Sequence, residues 1–129
     1  MAKSDYEKSK ESAEEQEGMI KGVFRRAFDI LQYRTYVYYR LNPEKIEEGI
    51  AAKKAFEYGK EGAIELIRKG YPGRSDEEYE AALNKFVNRE RRRFEEDSHR
   101  YDDFKQDAEG FTRIADRLPP LSELNRKDT

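Results

Sequence analysis

Apolar residues recur three and four positions apart along most of this chain, and no stretch between turn signals alternates apolar with polar residues. The first spacing places side chains on one face of an α-helix, whereas alternation indicates a half-buried strand. The pattern therefore predicts an all-α fold. Charged residues make up 42% of the 129, so the helices must share a thin core. The net charge of only −2, with nine tyrosines and seven phenylalanines, argues against a disordered chain.

Turn signals divide the helical pattern into three segments. Asn42-Pro43 is typical of an N-cap followed by proline in the first helical turn, and Ser75 has Glu78 at capping-box spacing. Gly70–Arg74 holds a proline between two glycines, and Pro119-Pro120 stops a helix. Together these signals predict helices over 15–41 (with a start as early as residue 4), 43–69 and 76–117.

The chain has the size of one domain, which we place at 15–117, between a polar, flexible N-terminus (1–14) and an extended, proline-containing tail (118–129). The first two helices should form an antiparallel hairpin packed on the first half of the third. Glycines at 49, 59 and 62 interrupt the second helix and favour close approach of another helix. The predicted core residues are Phe24, Phe28, Leu31, Ile50, Phe56, Ile64, Ile67, Leu83 and Phe86.

The predicted third helix is the most informative segment, because it is too long for its partners. At 1.5 Å per residue it would extend about 60 Å, beyond the reach of the hairpin. Glu90 and Asp97 occupy apolar positions of its stripe, and after them the stripe is unbroken. This coiled-coil-like extension has no partner within the predicted fold. Its apolar positions are Tyr101, Phe104, Ala108, Phe111, Ala115 and Leu118.

An apolar stripe left bare on a soluble protein indicates an interface. The sequence therefore predicts a non-enzymatic helical adaptor or structural subunit that binds protein partners within a larger assembly. A different partner chain is favoured over a homodimer, because acidic residues at 102, 103, 107 and 109 flank the stripe and disfavour self-pairing. Leu121 and Leu124 continue the apolar spacing into the tail, which either docks in a partner's groove or folds back on the helix.

Nucleic-acid binding is the alternative function. Arginine and tyrosine alternate on the face of the first helix opposite its apolar stripe, and a second basic cluster lies in the third helix. Such residues contact phosphates and stack on unpaired bases, but they also form protein interfaces. A third interpretation is that the tyrosines fill gaps between helices while the arginines pair with acids. The residues concerned are Arg25, Arg26, Tyr33, Tyr36, Arg40, Arg89, Arg91, Arg92 and Arg93.

Several chemistries are disfavoured by composition. The chain has no cysteine and one histidine, His99. Glu96 and His99 have the Glu-x-x-His spacing of carboxylate di-iron bundles, but the second such motif is missing. No nucleophile–base set or phosphate-binding loop is present, so we expect no cofactor, metal or enzymatic activity. No apolar run is long enough for a bilayer, and the acidic start is unlike a targeting peptide, so a soluble cytoplasmic protein is expected.

Overall fold

The computed structural model describes residues 27–121, and in that range it contains helices and no strand. The prediction of an all-α protein is therefore confirmed. Predictions about residues 1–26 and 122–129, including the start of the first helix and Phe24, Arg25, Arg26 and Leu124, lie outside this range. The helices are α1 (27–41), a short 3-10 helix (Pro43–Glu48), α2 (Ile50–Gly70), α3 (Asp76–Glu96) and α4 (Ser98–Ala115).

The prediction of a single long third helix is wrong, because the helical backbone is interrupted at Asp97. The backbone there is extended (φ −142°, ψ 99°), and the Asp97 carboxylate accepts hydrogen bonds from the backbone N–H groups of His99 (3.0 Å) and Arg100 (3.4 Å). Asp97 thus ends α3 and caps the N-terminus of α4. The capped α4 packs on α1 and α2 instead of extending as a coiled coil.

The second predicted helix is also divided. Residues 43–48 form a 3-10 helix, and Gly49 is extended (φ 167°), so α2 begins at Ile50. Asn42 stands at the predicted N-cap position, but its side chain donates back to the Tyr38 carbonyl (2.9 Å) and so closes the end of α1. Ser75 acts as predicted, since its Oγ accepts the backbone N–H of Glu78 (3.2 Å).

Helix α1 is the central helix of the fold. It runs antiparallel to α2, with Asp29 beside Lys69 (3.0 Å) and the ring of Tyr36 stacked on Phe56 (centroids 5.5 Å apart). Residues 35–39 are all buried, so this part of α1 is covered on every side. This segment of α1 has no solvent face, which the two-faced pattern of the sequence does not indicate.

The core consists of two clusters that meet along α1. Of the predicted core residues, Ile67 and Leu83 are buried, and Leu31, Phe56, Ile64 and Phe86 are half-buried against the clusters. Phe28 and Ile50 are exposed by 37% and 73%, so their assignment to the core is wrong. Ile50 begins α2 at the Gly49 break, which carries it outward. The buried cluster residues are Tyr36, Val37, Ala63, Ile67, Tyr79, Leu83, Val87 and Phe104 in one, and Tyr38, Tyr39, Ala52, Ala55, Tyr58, Ala108, Phe111 and Ala115 in the other.

Gly59 and Gly62 of α2 allow the close approach of α1, as the sequence predicts, but the same prediction for Gly49 is wrong, because a Cβ there would meet nothing within 4 Å. A Cβ at Gly59 would lie 2.8 Å from the Gln32 carbonyl oxygen, which belongs to the backbone and cannot swing away. We expect Gly59→Ala to lower the free energy of unfolding by about 1–3 kcal/mol, although alanine favours helices by about 1 kcal/mol. Urea denaturation measures the change.

Gly110→Ala in α4 is the matched control. A Cβ at Gly110 would meet only the Arg113 guanidinium, at 3.8 Å, so helix preference should dominate and stability should rise by up to about 1 kcal/mol. Stabilisation by both substitutions would contradict close packing of α1 on α2.

Candidate functional site

The apolar stripe predicted as a partner interface lies within the chain's own core. Phe104, Ala108, Phe111 and Ala115 are fully buried, and Tyr101 is half-buried, with its hydroxyl donating to the Asn42 side-chain oxygen (3.3 Å). Because α4 folds back at Asp97, α1 and α2 cover the stripe. The premise that it lacks a partner within the chain is therefore wrong.

The first residues of the tail fold back in the same way. Leu118 and Leu121 are half-buried against the second core cluster. The Leu118 carbonyl accepts a hydrogen bond from the Lys54 ammonium (3.2 Å), and the Pro119 carbonyl accepts one from the Tyr58 hydroxyl. Of the two alternatives for the tail, residues 118–121 adopt the one in which it packs on its own helices.

The arginine–tyrosine face of α1 is not a free surface either. Tyr36 is only 1% exposed, and its hydroxyl accepts a hydrogen bond from Arg40, which also donates to Asn84 of α3 (2.7 Å). Tyr33 is half-buried and donates to the Glu90 carboxylate (3.2 Å). These tyrosines fill gaps between helices with their hydroxyls hydrogen-bonded, as buried tyrosines usually do.

Glu90 is the charged residue at the centre of this region, and it is 1% exposed. Arg100 of α4 holds its carboxylate with two hydrogen bonds, from Nε to Oε2 (2.9 Å) and from Nη2 to Oε1 (3.2 Å). This bonding raises the pKa of Arg100 further and keeps the guanidinium charged. Arg89 and Arg93 approach the same carboxylate only at 3.7 and 3.9 Å. The acid is therefore satisfied mainly from α4.

Burial, with the nearby charge of Glu90, raises the pKa of Tyr33 to about 12. An unfolded tyrosine titrates near 10, so the stability that Tyr33 contributes is complete below pH 10 and is lost as pH rises toward about 12. Burial likewise raises the pKa values of Tyr38 and Tyr39. Tyr33→Phe removes this titrating group, so we expect it to reduce the fall in the free energy of unfolding at alkaline pH. Urea denaturation between about pH 9 and 12, which spans the pKa values of the unfolded and folded states, measures the change. A fall as steep as in the wild type would contradict this account.

Glu90 turns inward and is held by α4, whereas the cations around it on α3 face solvent. Lys85, Arg89 and Arg92 recur at i, i+4 and i+7 and form an exposed basic row along one side of α3. Arg91 and Arg93, also exposed, flank the row. Within residues 27–121, Lys85, Arg91 and Arg92 take part in no ion pair. Five cations within nine residues thus lie at the surface, and of these Arg89 and Arg93 make only long contacts with the buried Glu90.

An apolar groove of about 210 Å³ opens beside the basic row. Tyr71 is 61% exposed at its rim, and the Arg89 guanidinium lies over the Phe86 ring, 4.6 Å from its centroid. The groove is smaller than the roughly 300–1,000 Å³ of typical small-molecule sites. Residues from α1, α2, the following turn and α3 line it: Tyr33, Ala63, Leu66, Ile67, Gly70, Tyr71, Phe86 and Arg89.

The Glu-x-x-His pair is divided by the helix break. Glu96 is the last residue of α3, His99 lies in the first turn of α4, and both are exposed. In the part of the chain that the structure describes, no group of three or more histidine, cysteine or acidic residues is arranged to hold a metal ion. None of the helices in that part is both long and apolar enough to span a bilayer.

The groove is the feature that sequence analysis missed. Its residues come from three separate segments of the sequence, at 33, 63–71 and 86–89, so no local pattern identifies it. No protein-family model, curated protein or solved structure gives a significant match to the chain.

Proposed function

We propose that this protein is a non-enzymatic helical adaptor or subunit that binds an acidic protein partner through the basic row of α3. The observation that supports the proposal is the exposed state of five cations at positions 85–93 while the one acid among them, Glu90, is buried and held by Arg100. Exposed cations form a positive surface that steers and selects a negative partner. The proposed partner interface is therefore the basic row of α3 and not the α4 stripe that the sequence predicts.

A protein partner is favoured by the apolar groove that adjoins the row. Protein interfaces combine an apolar centre with a polar rim, and arginine and tyrosine are enriched at their anchor positions. Arg89 belongs to both the groove and the row, and exposed Tyr71 forms part of the groove rim. A different protein chain remains favoured over a homodimer, because two like basic rows would repel each other across a symmetric contact.

The test is a charge reversal of the row in the full chain, Lys85→Glu/Arg89→Glu/Arg92→Glu. Cross-linking capture from the source cell should recover specific proteins with the wild type and lose them with this variant. The matched control, Lys53→Glu/Lys105→Glu/Arg113→Glu, makes the same charge change at exposed positions of α2 and α4. The control should keep the partners. Equal capture by both variants, or no specific capture by the wild type, contradicts the proposal.

Nucleic acid is the second candidate, and the same five exposed cations favour it. Each phosphate contact releases counterions, so binding to single strands should weaken with salt at a slope of about −0.7 per contact. The row variant removes three cations, so it should lower the magnitude of the slope by about 2, which corresponds to three contacts. Absence of binding to single-stranded DNA and RNA at low salt removes this candidate for the isolated chain.

A further inference from the structure

The groove and the basic row form one continuous surface, because Arg89 belongs to both. Its guanidinium lies over the Phe86 ring at the groove edge, and its side chain is half-exposed. From Arg89 the row continues along α3 to Lys85 in one direction and to Arg92 in the other. A ligand whose apolar group enters the groove therefore meets the cations of α3 along one edge of that group.

The size of the groove limits what can enter it. At about 210 Å³ it holds less than a typical cofactor or drug-sized ligand, and its lining is almost entirely apolar. A nucleic-acid base would need an exposed aromatic face for stacking. Of the three aromatic residues that line the groove, Phe86 is covered by Arg89, Tyr33 is half-buried and bonded to Glu90, and only Tyr71, at the rim, is exposed. A single large apolar side chain fits these constraints.

We propose that the groove takes one aromatic or large aliphatic side chain from an acidic segment of the partner protein, while carboxylates of that segment bind the basic row. This inference rests on the proposed function and names the chemistry of its ligand. Charge complementarity selects the acidic segment, and burial of its apolar side chain among Ile67, Tyr71 and Phe86 supplies specificity.

Gly70 allows a direct test, because it lines the groove and a Cβ built on it meets no atom within 4 Å. Gly70→Phe should therefore place a ring in the groove without disturbing the core. Gly49→Phe is the matched control, since a Cβ at Gly49 also meets nothing within 4 Å and Gly49 does not line this groove. Tyr71→Ser, which removes an exposed rim side chain, is a second variant that does not depend on tolerance of a new ring.

The probes are two short, fluorescently labelled glutamate-rich peptides, identical except for phenylalanine or alanine at the centre. Fluorescence anisotropy with the full chain at low salt measures both affinities. The wild type and Gly49→Phe should bind the phenylalanine peptide about tenfold more tightly than the alanine peptide. Gly70→Phe should bind the two about equally, and Tyr71→Ser should reduce the difference. Circular dichroism verifies that each variant is folded.

Equal binding of both peptides by the wild type overturns the inference, as does an undiminished difference in both Gly70→Phe and Tyr71→Ser. Tighter binding of single-stranded DNA of matched length, unaffected by Gly70→Phe, also overturns it. Failure of the inference is distinguishable from failure of the proposed function. If the row variant loses its cellular partners while the wild type binds both peptides equally, the adaptor function stands and only the groove assignment fails.

Discussion

Phe111→Ala is expected to lower the free energy of unfolding by about 3–5 kcal/mol, the largest effect of a single substitution that we predict. Phe111 is fully buried, and its ring makes edge contacts with Phe28 of α1 (centroids 5.4 Å apart) and Tyr58 of α2 (6.5 Å). Because small domains have only about 5–15 kcal/mol of stability, this loss removes a large share of it. Urea denaturation followed by circular dichroism measures the loss.

Ile114→Ala in the same helix is the matched control for this experiment. Ile114 is 42% exposed, so its truncation should cost less than about 1 kcal/mol. The comparison also distinguishes the observed fold from the extended third helix that the sequence predicted. In an extended helix Phe111 would face solvent or another chain, and its loss would destabilise the monomer no more than the loss of Ile114.

Arg100→Met is expected to cost about 3 kcal/mol, because it leaves the buried Glu90 carboxylate without its two hydrogen bonds from α4. The value lies at the lower end for a broken buried pair, since Arg89 and Arg93 are within 4 Å and the Arg100 side chain is itself 35% exposed. Thermal and urea unfolding should both detect the loss.

Two further variants identify the unpaired carboxylate as the cause. Glu90→Gln combined with Arg100→Met should recover more than half of the loss, because the neutral amide needs no counter-charge and still accepts the Tyr33 hydrogen bond. Arg93→Met should cost less than about 1 kcal/mol, since this half-exposed side chain lies 3.9 Å from the carboxylate. If the double variant is no more stable than Arg100→Met, burial of an unpaired charge does not explain the effect.

Local signals in the sequence identify the ends of α1 and α2 and the start of α3, but not the divisions at Gly49 and Asp97. The capping pair at Ser75 and Glu78 marks the start of α3, and residues 71–74 form the turn before it. The apolar spacing also identified Leu83 and Ile67 as buried. These features depend on neighbours three or four residues apart, which is the range over which a single sequence is informative.

The sequence does not show that the third helix ends at residue 96. Glu90 and Asp97 interrupt its apolar stripe, but a helix can continue through such positions. The break is stabilised by the Arg100 hydrogen bonds to Glu90 and by the Asp97 cap of α4. Both sets of bonds exist only once the chain has turned, so the sequence pattern does not reveal them. Similarly, the burial of Tyr36 follows from the three helices around α1.

The candidate site was predictable only in part. The cluster at 89–93 is evident from its composition, but the sequence could not indicate that Glu90 turns inward and leaves the cations exposed. The groove brings together Tyr33, Ile67 and Phe86, whose separations exceed those of any local motif. Its existence depends on the packing angles of three helices, which periodicity alone does not determine.

The central position of α1 also has a consequence for how the chain reaches its native state. Arg34 pairs with Asp107 and Tyr39 with Thr112, and each pair closes a loop of 73 residues. Closure of such loops costs chain entropy before any contact is gained, which slows folding relative to helical bundles with local contacts. During synthesis α1 leaves the ribosome early, but Tyr38 and Tyr39 of α1 are covered only after α4 has also emerged. The folding rate should therefore depend more strongly on substitutions in the α1–α4 contact than on those in the α2–α3 turn.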